Sequence, residues 1–252
     1  MISGYTMLWL FLAGFVASVF GSMVGLGGGF IIVPVLRIFF GLSPPVAAGT
    51  SLALVIANGA SSSVSYLLQR RVDLRTGWLV AAGGIPGGVF GALAVKNATP
   101  RLFDWLFATF LILVAADIIA NRRKRSQAAA AEKTPAILAM GFVVGFVSSL
   151  FGVGGGVILI PSLLYFTALP VHIISATSQF AILLTSPVGF ITHALQRDVE
   201  WAYAVPLTLG GLLGGPVGAR FSATMKSRSL MLCVAVALTI AAVALVYRYI
   251  AR

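Results

Sequence analysis

The sequence predicts an all-α polytopic membrane protein made of two homologous repeats. Three observations carry that expectation. First, 59% of the 252 residues are hydrophobic and 9% are charged, with a mean hydropathy of +1.03. A soluble domain carries roughly 25% charged residues, so this chain could not keep its surface in water. Second, the apolar residues fall in long stretches parted by short polar or basic segments. Third, Gly25-Leu26-Gly27-Gly28-Gly29 followed by Pro34 recurs as Gly152-Val153-Gly154-Gly155-Gly156 followed by Pro161, a shift of 127 residues. The same shift carries Gly14-Phe15 onto Gly141-Phe142, Thr50-Ser51 onto Thr177-Ser178, and Gln69-Arg70 onto Gln196-Arg197. Gly/Pro-interrupted apolar segments at matching places in two halves point to a secondary transporter and its binding site.

In chain order, the apolar stretches run over 5–24, 29–42, 46–68, 77–96 and 101–120. A basic linker at 121–134 follows, and then stretches at 135–151, 156–169, 171–195, 202–224 and 229–250. Residues 1–120 and 135–252 are thus the two repeats. No basic segment precedes the first stretch, which reads as a retained span rather than a signal peptide. A helix needs about 20 residues to cross some 30 Å of hydrocarbon, and 29–42 and 156–169 fall short. Both short pieces follow the triple glycines. Backbone broken in this way is tolerated at membrane depth only inside protein or along a wet cavity. The expected picture is a broken or re-entrant helix in each half, meeting its mate near the middle. Taking each broken pair as one element gives about eight spans; taking each piece as crossing gives ten.

Seventeen Lys+Arg against six Asp+Glu leave a net charge of +11. The cations gather mostly in loops at 70–75, 96–101, 121–125 and 226–228, the positive-inside pattern, with no aromatic-interleaved basic face for nucleic acid. Five crossings per half would place the loops at 70–75, 121–133 and 226–228 on one side and invert the repeats. Four elements per half would leave the repeats parallel. The charge bias favours inversion.

The Gly-rich breaks are the candidate anion site. Gly25, Gly27, Gly28 and Gly29, with Gly152, Gly154, Gly155 and Gly156, let the backbone turn free N–H groups toward a ligand just ahead of a helix start. A helix N-terminus carries roughly +0.5 charge, so two facing one cavity hold an oxyanion without a buried cation. The competing reading is close helix packing, which is the preferred one for the later glycines at 83–92 and 210–219. Thr50, Ser51, Thr177 and Ser178 offer hydroxyls beside the breaks. Asn58 and Gln179 are the stronger candidates, because a buried amide in lipid demands partners. His193 could sense protons, although an interfacial, hydrogen-bonded histidine is the preferred reading. Arg37 reads as either an anion attractor at a mouth or a snorkelling side chain. Asp117 is expected to pair with Arg122 or Arg123, and Asp73 and Glu200 with neighbouring arginines.

One cysteine, two histidines and six scattered acids offer no metal cluster, and no cofactor motif or nucleophile–base set emerges. The chain does not read as an enzyme.

The paired motifs, the Thr-Ser positions after them, and the Gly-rich third segment of each half resemble the TauE/SafE family of sulfite exporters across nearly the whole chain. The resemblance implies an inner-membrane exporter of small sulfur anions, sulfite or a sulfonate such as sulfoacetate, with Gly25, Gly27, Gly28, Gly29, Pro34 and their counterparts as motif positions. Protons are a candidate coupling ion, and the lipid bilayer and the small anion are the expected partners. An anion-selective channel is the alternative, separable by whether flux saturates.

Overall fold

The computed structural model describes residues 3–120, 134–225 and, beyond these, 232, 235, 236 and 238–244. The described residues form helices with no strand: α1 (Gly4–Val24), α2 (Gly29–Phe39), α3 (Pro44–Leu68), α4 (Leu74–Ala94), α5 (Pro100–Ala120), α6 (Thr134–Phe151), α7 (Gly156–Phe166), α8 (Val171–Leu195) and α9 (Trp201–Thr224). A 3-10 turn at Val95–Asn97 joins α4 to α5. Most of the expected linker, 121–133, lies outside the described residues, as does the basic segment at 226–228.

Among the described residues, six helices are long and apolar enough to cross a membrane: α1, α3, α4, α6, α8 and α9. The short apolar pieces are α2 and α7, of 11 residues each. The 127-residue shift maps Gly29–Phe39 onto Gly156–Phe166 and Pro44–Leu68 onto Val171–Leu195 end to end. It also maps Arg70 onto Arg197, the two non-glycine residues with positive φ, at 54° and 64°.

Local chemistry sets the ends of these helices. Ser3 caps α1 by accepting from the Thr6 N–H, and Asp73 caps α4 by accepting from Thr76 at 2.8 Å. Asp73 therefore serves as a cap, in place of the expected arginine pairing. Pro44 opens α3, where its missing donor costs nothing. Gly25 closes α1 at φ 93°, with its N–H turned back to Gly21 and Ser22.

Glycine sets which helices can pack together. An added Cβ at Gly14, Gly210 or Gly214 would meet backbone across the α1–α9 contact, at Leu207, Phe11 and Phe15 respectively. At Gly141, Gly83 and Gly87 it would meet Val80, Leu138 and Phe142 across α6–α4, the same pairs moved by 127. The packing reading of the glycines at 83–92 and 210–219 thus matches the structure. The order of the pairs also gives direction. Phe11, Phe15 and Val19 climb α1 as Gly210, Gly214 and Gly218 climb α9, so those helices run parallel. Leu138, Phe142 and Phe146 do the same against Gly83, Gly87 and Gly91.

α3 and α8 form the centre and run antiparallel: Gly59 faces Leu183, while Gly49 faces His193. α9 packs parallel to α3, through Gly211 on Leu54 and Gly215 on Asn58. In the same way α4 packs parallel to α8, through Gly77 on Phe180 and Gly84 on Thr185. Consequently α1, α3 and α9 point one way and α4, α6 and α8 the other. The long helices of residues 1–120 interleave with those of 134–225.

α5 runs alongside the two short helices. Arg37, near the end of α2, holds Asp104 with two bonds at 2.9 and 2.6 Å, both side chains buried. Arg37 also donates to the Leu42 and Pro100 carbonyls. It is neither a mouth charge nor a snorkel, because Asp104 on α5 neutralises it in place. At the other end of α5, Asp117 accepts from the Tyr165 hydroxyl at 3.0 Å, near the end of α7; Arg122 and Arg123 lie outside the described residues.

Candidate functional site

The two Gly-rich breaks meet. An added Cβ at Gly29 would strike the Gly152 carbonyl, and one at Gly156 would strike the Gly25 carbonyl. Gly27 and Gly154 both lie against Val55 of α3 and Ile182 of α8, residues near the midpoints of the two central helices. The stretches 21–30 and 151–157 are buried throughout.

Gly25, Gly27, Gly28, Gly152, Gly154 and Gly155 all hold φ between 73° and 93°. An L side chain with a Cβ rarely adopts that conformation, which is the local reason for glycine at these six positions. Gly28 and Gly155 are the N-caps of α2 and α7, with no side-chain cap. Among the described residues, no acceptor takes the N–H groups of Gly28, Gly29 and Phe30, or those of Gly154, Gly155, Gly156 and Val157. Two helix starts, each with free donors, therefore abut at the centre of the fold. Their C-terminal ends diverge, that of α2 toward the start of α3 and that of α7 toward the start of α8. Together the two pieces cover about 33 Å at 1.5 Å per residue, about one bilayer core.

The hydroxyls flanking the breaks are tethers. Ser51 donates to the Gly152 carbonyl at 2.9 Å and Ser178 to the Gly25 carbonyl at 2.7 Å. Thr50 accepts from the Glu200 N–H and Thr177 from the Asp73 N–H, each at 2.9 Å. Each of these bonds crosses from one half of the chain to the other. They hold the breaks and the 70s and 190s turns in place.

The amides differ. Gln179 is fully buried and donates through Nε2 to the Gly21 carbonyl at 2.9 Å, while its Oε1 has no partner. Gly21 packs directly on the Gly28 nitrogen. Asn58 is also fully buried, with neither amide atom partnered. It lies one turn beyond Leu54, which faces Gly28, and against Gly215 of α9.

Two serines that sequence reasoning missed join this set. Ser18 follows Ala17, whose carbonyl faces Gly28, and Ser148 packs on Gly155. Both hydroxyls are buried without a partner. No sequence signal marks them out, since most serines in apolar helices bond their own backbone, as Ser22 and Ser62 do here.

His193, near the C-terminal end of α8, is fully buried within the protein. Its Nε2 lies 3.0 Å from the Ser149 carbonyl and its Nδ1 3.8 Å from Asp198 Oδ2. In register, the Tyr66 hydroxyl donates to the Ser22 carbonyl at 2.7 Å. Both side chains thus grip the last turn before a Gly-rich break.

Comparison with known proteins gives one consistent result. A family model described as Sulfite exporter TauE/SafE matches residues 10–245. The chain is 31% identical to the "Probable membrane transporter protein YunE" of Bacillus subtilis, over 94% of this chain and 96% of that one. It is 29% identical to a probable membrane transporter protein of Methanocaldococcus jannaschii, over 78% and 75%. It is 27% identical to one from Haemophilus influenzae, over 88% and 87%. No solved structure matches.

Proposed function

The chain belongs to the sulfite exporter TauE/SafE family of multi-pass membrane transporters, and within it we propose a secondary transporter of small sulfur oxyanions. The proposed cargo is sulfite or an organosulfonate, exported across the inner membrane. The observation that carries this reading is the abutment of the α2 and α7 starts, with free N–H groups and roughly half a positive charge each. A buried cation would bind an oxyanion tightly; helix ends hold it and let it go. Broken helices meeting near the midplane are the usual site of secondary transport.

The proposal includes two inverted repeats, at residues 1–120 and 135–252, joined by the basic linker. The antiparallel α3 and α8 and the in-register pairs at 127 residues support it. Alternating access would come from rocking one set of helices on the other about the glycine crossing. The site residues proposed are the eight break glycines, Asn58 and Gln179 facing the anion, with Thr50, Ser51, Thr177 and Ser178 positioning the breaks. Protons are the proposed coupling ion, with buried His193 and its neighbour Asp198 as the groups able to hold one.

Radiolabelled sulfite flux into liposomes holding the purified protein tests this. Saturable flux, competed by unlabelled sulfite, is expected. Flux that rises linearly with concentration would favour a channel. No sulfite flux, in vesicles that carry another anion, would discard the sulfur oxyanion.

A further inference from the structure

We propose that the carried species is a monoanion bringing its own hydrogen-bond donor, bound to one side of the glycine crossing against Asn58 and Ser18. This rests on the oxyanion reading above and narrows its substrate class.

Charge comes first. Arg37 is the one Lys or Arg among the described residues that is buried, and Asp104 neutralises it. What remains at the crossing is the two helix starts, together worth about one positive charge. That balances a monoanion. A dianion would carry about one uncompensated charge into the protein interior, a heavy desolvation cost.

Hydrogen bonding comes second. Donors are in supply: the free N–H groups, Ser18 Oγ, Ser148 Oγ and Asn58 Nδ2. Acceptors also stand open. Gln179 is oriented by its Nε2 bond to Gly21, which leaves Oε1 as a true acceptor. Asn58, whichever way its amide is turned, presents one donor and one acceptor, and both lack partners. A fully deprotonated oxyanion offers no donor and would leave these oxygens unsatisfied and facing negative charge. A hydrogen-oxyanion or a hydroxylated sulfonate satisfies both kinds of group at once.

Position comes third. The place that the 127-residue shift assigns to Asn58 is Thr185, whose hydroxyl donates to its own helix at Ala181. Ser18 maps to Gly145, which packs on Gly84. The open Asn58 amide and Ser18 hydroxyl thus have no open counterparts at the matching Thr185 and Gly145. Gln179, whose Oε1 is open, is held to Gly21 of the same α1, whereas open Ser148 lies beside Gly155. The ligand therefore lies off the axis relating the halves, on the side of α1, α3 and α9 and next to Gln179 of α8.

Probes of fixed charge at a single pH test this by competition against labelled sulfite in proteoliposomes. Isethionate and ethanesulfonate are monoanions differing by one hydroxyl; ethanedisulfonate is a dianion. Wild type should prefer isethionate over ethanesulfonate about tenfold. Ethanedisulfonate should compete at least about tenfold more weakly than isethionate. In Asn58→Leu, and in Ser18→Ala should the first variant fail to fold, the hydroxyl preference should shrink to about threefold or less. Equal competition by ethanesulfonate, strong competition by the disulfonate, or an undiminished preference in a folded variant would overturn the inference. If none of these anions competes and none, sulfite included, raises the melting temperature of the purified protein, the oxyanion reading itself falls.

Discussion

Asn58 is the side chain of the proposed site at which function and stability separate. Its amide is buried with nothing to bond, a state that costs stability until a ligand arrives. Asn58→Leu, of the same branched shape, should leave the melting temperature unchanged or raise it, while lowering sulfite flux about tenfold or more. Thermal unfolding and flux on one preparation check both. Asp104 behaves oppositely. Asp104→Leu leaves the Arg37 guanidinium buried and unpaired, which should cost about 3–5 kcal/mol, and the Arg37→Met/Asp104→Leu double variant should recover most of it. Denaturation in detergent reads both losses. At this scale the sequence was legible where a residue type makes its own demand. Asn58 and Gln179 stood out as amides in apolar helices, and both are fully buried. Arg37 was misread because its partner is 67 residues away, and Ser18 was missed because only tertiary packing leaves its hydroxyl unsatisfied.

At the scale of elements, periodic glycine reads more surely than polar side chains. Gly83, Gly87 and Gly91 meet the α6 carbonyls of Leu138, Phe142 and Phe146 so closely that no Cβ fits. Gly87→Val should therefore destabilise the protein by about 1–3 kcal/mol, or block insertion, through α4–α6 separation. Gly41, with open space around it, is the control on the steric argument, although its φ of 65° adds backbone strain of its own. The breaks are harder to probe. Gly28→Ala and Gly155→Ala each combine a strained φ with a collision, on the Ala17 carbonyl and on Val144, so lost transport there would report the fold as well as the anion. Pattern and length foretold α2 and α7 as short pieces behind glycine. That their starts would abut, and that Ser51 and Ser178 would be tied to the opposite break, depends on how α3 and α8 cross. No local pattern encodes that crossing.

For the whole molecule, the 127-residue shift and the helix directions support the proposed account of two units inserted in opposite senses, with α1 lying on α9 and α6 on α4. The ends of α3 and α9 then share a side with the 70–75 loop, and the 196–200 turn lies on the other. With Cys233 replaced, Arg75→Cys should be labelled by an impermeant thiol reagent only from the cytoplasmic side and Glu200→Cys only from outside. Labelling of both from one side would contradict inversion. The charge pattern favoured this topology from the sequence, but eight and ten spans stayed open there because a broken helix and two crossing pieces look alike in hydropathy. The central claim is that an anion is carried by alternating exposure of the glycine crossing, and counterflow tests it most directly. Liposomes preloaded with unlabelled sulfite should take up labelled sulfite faster than empty ones and transiently accumulate it above equilibrium. Uptake that is no faster, with no overshoot, would contradict a carrier and leave only a conducting pore or no sulfite pathway at all.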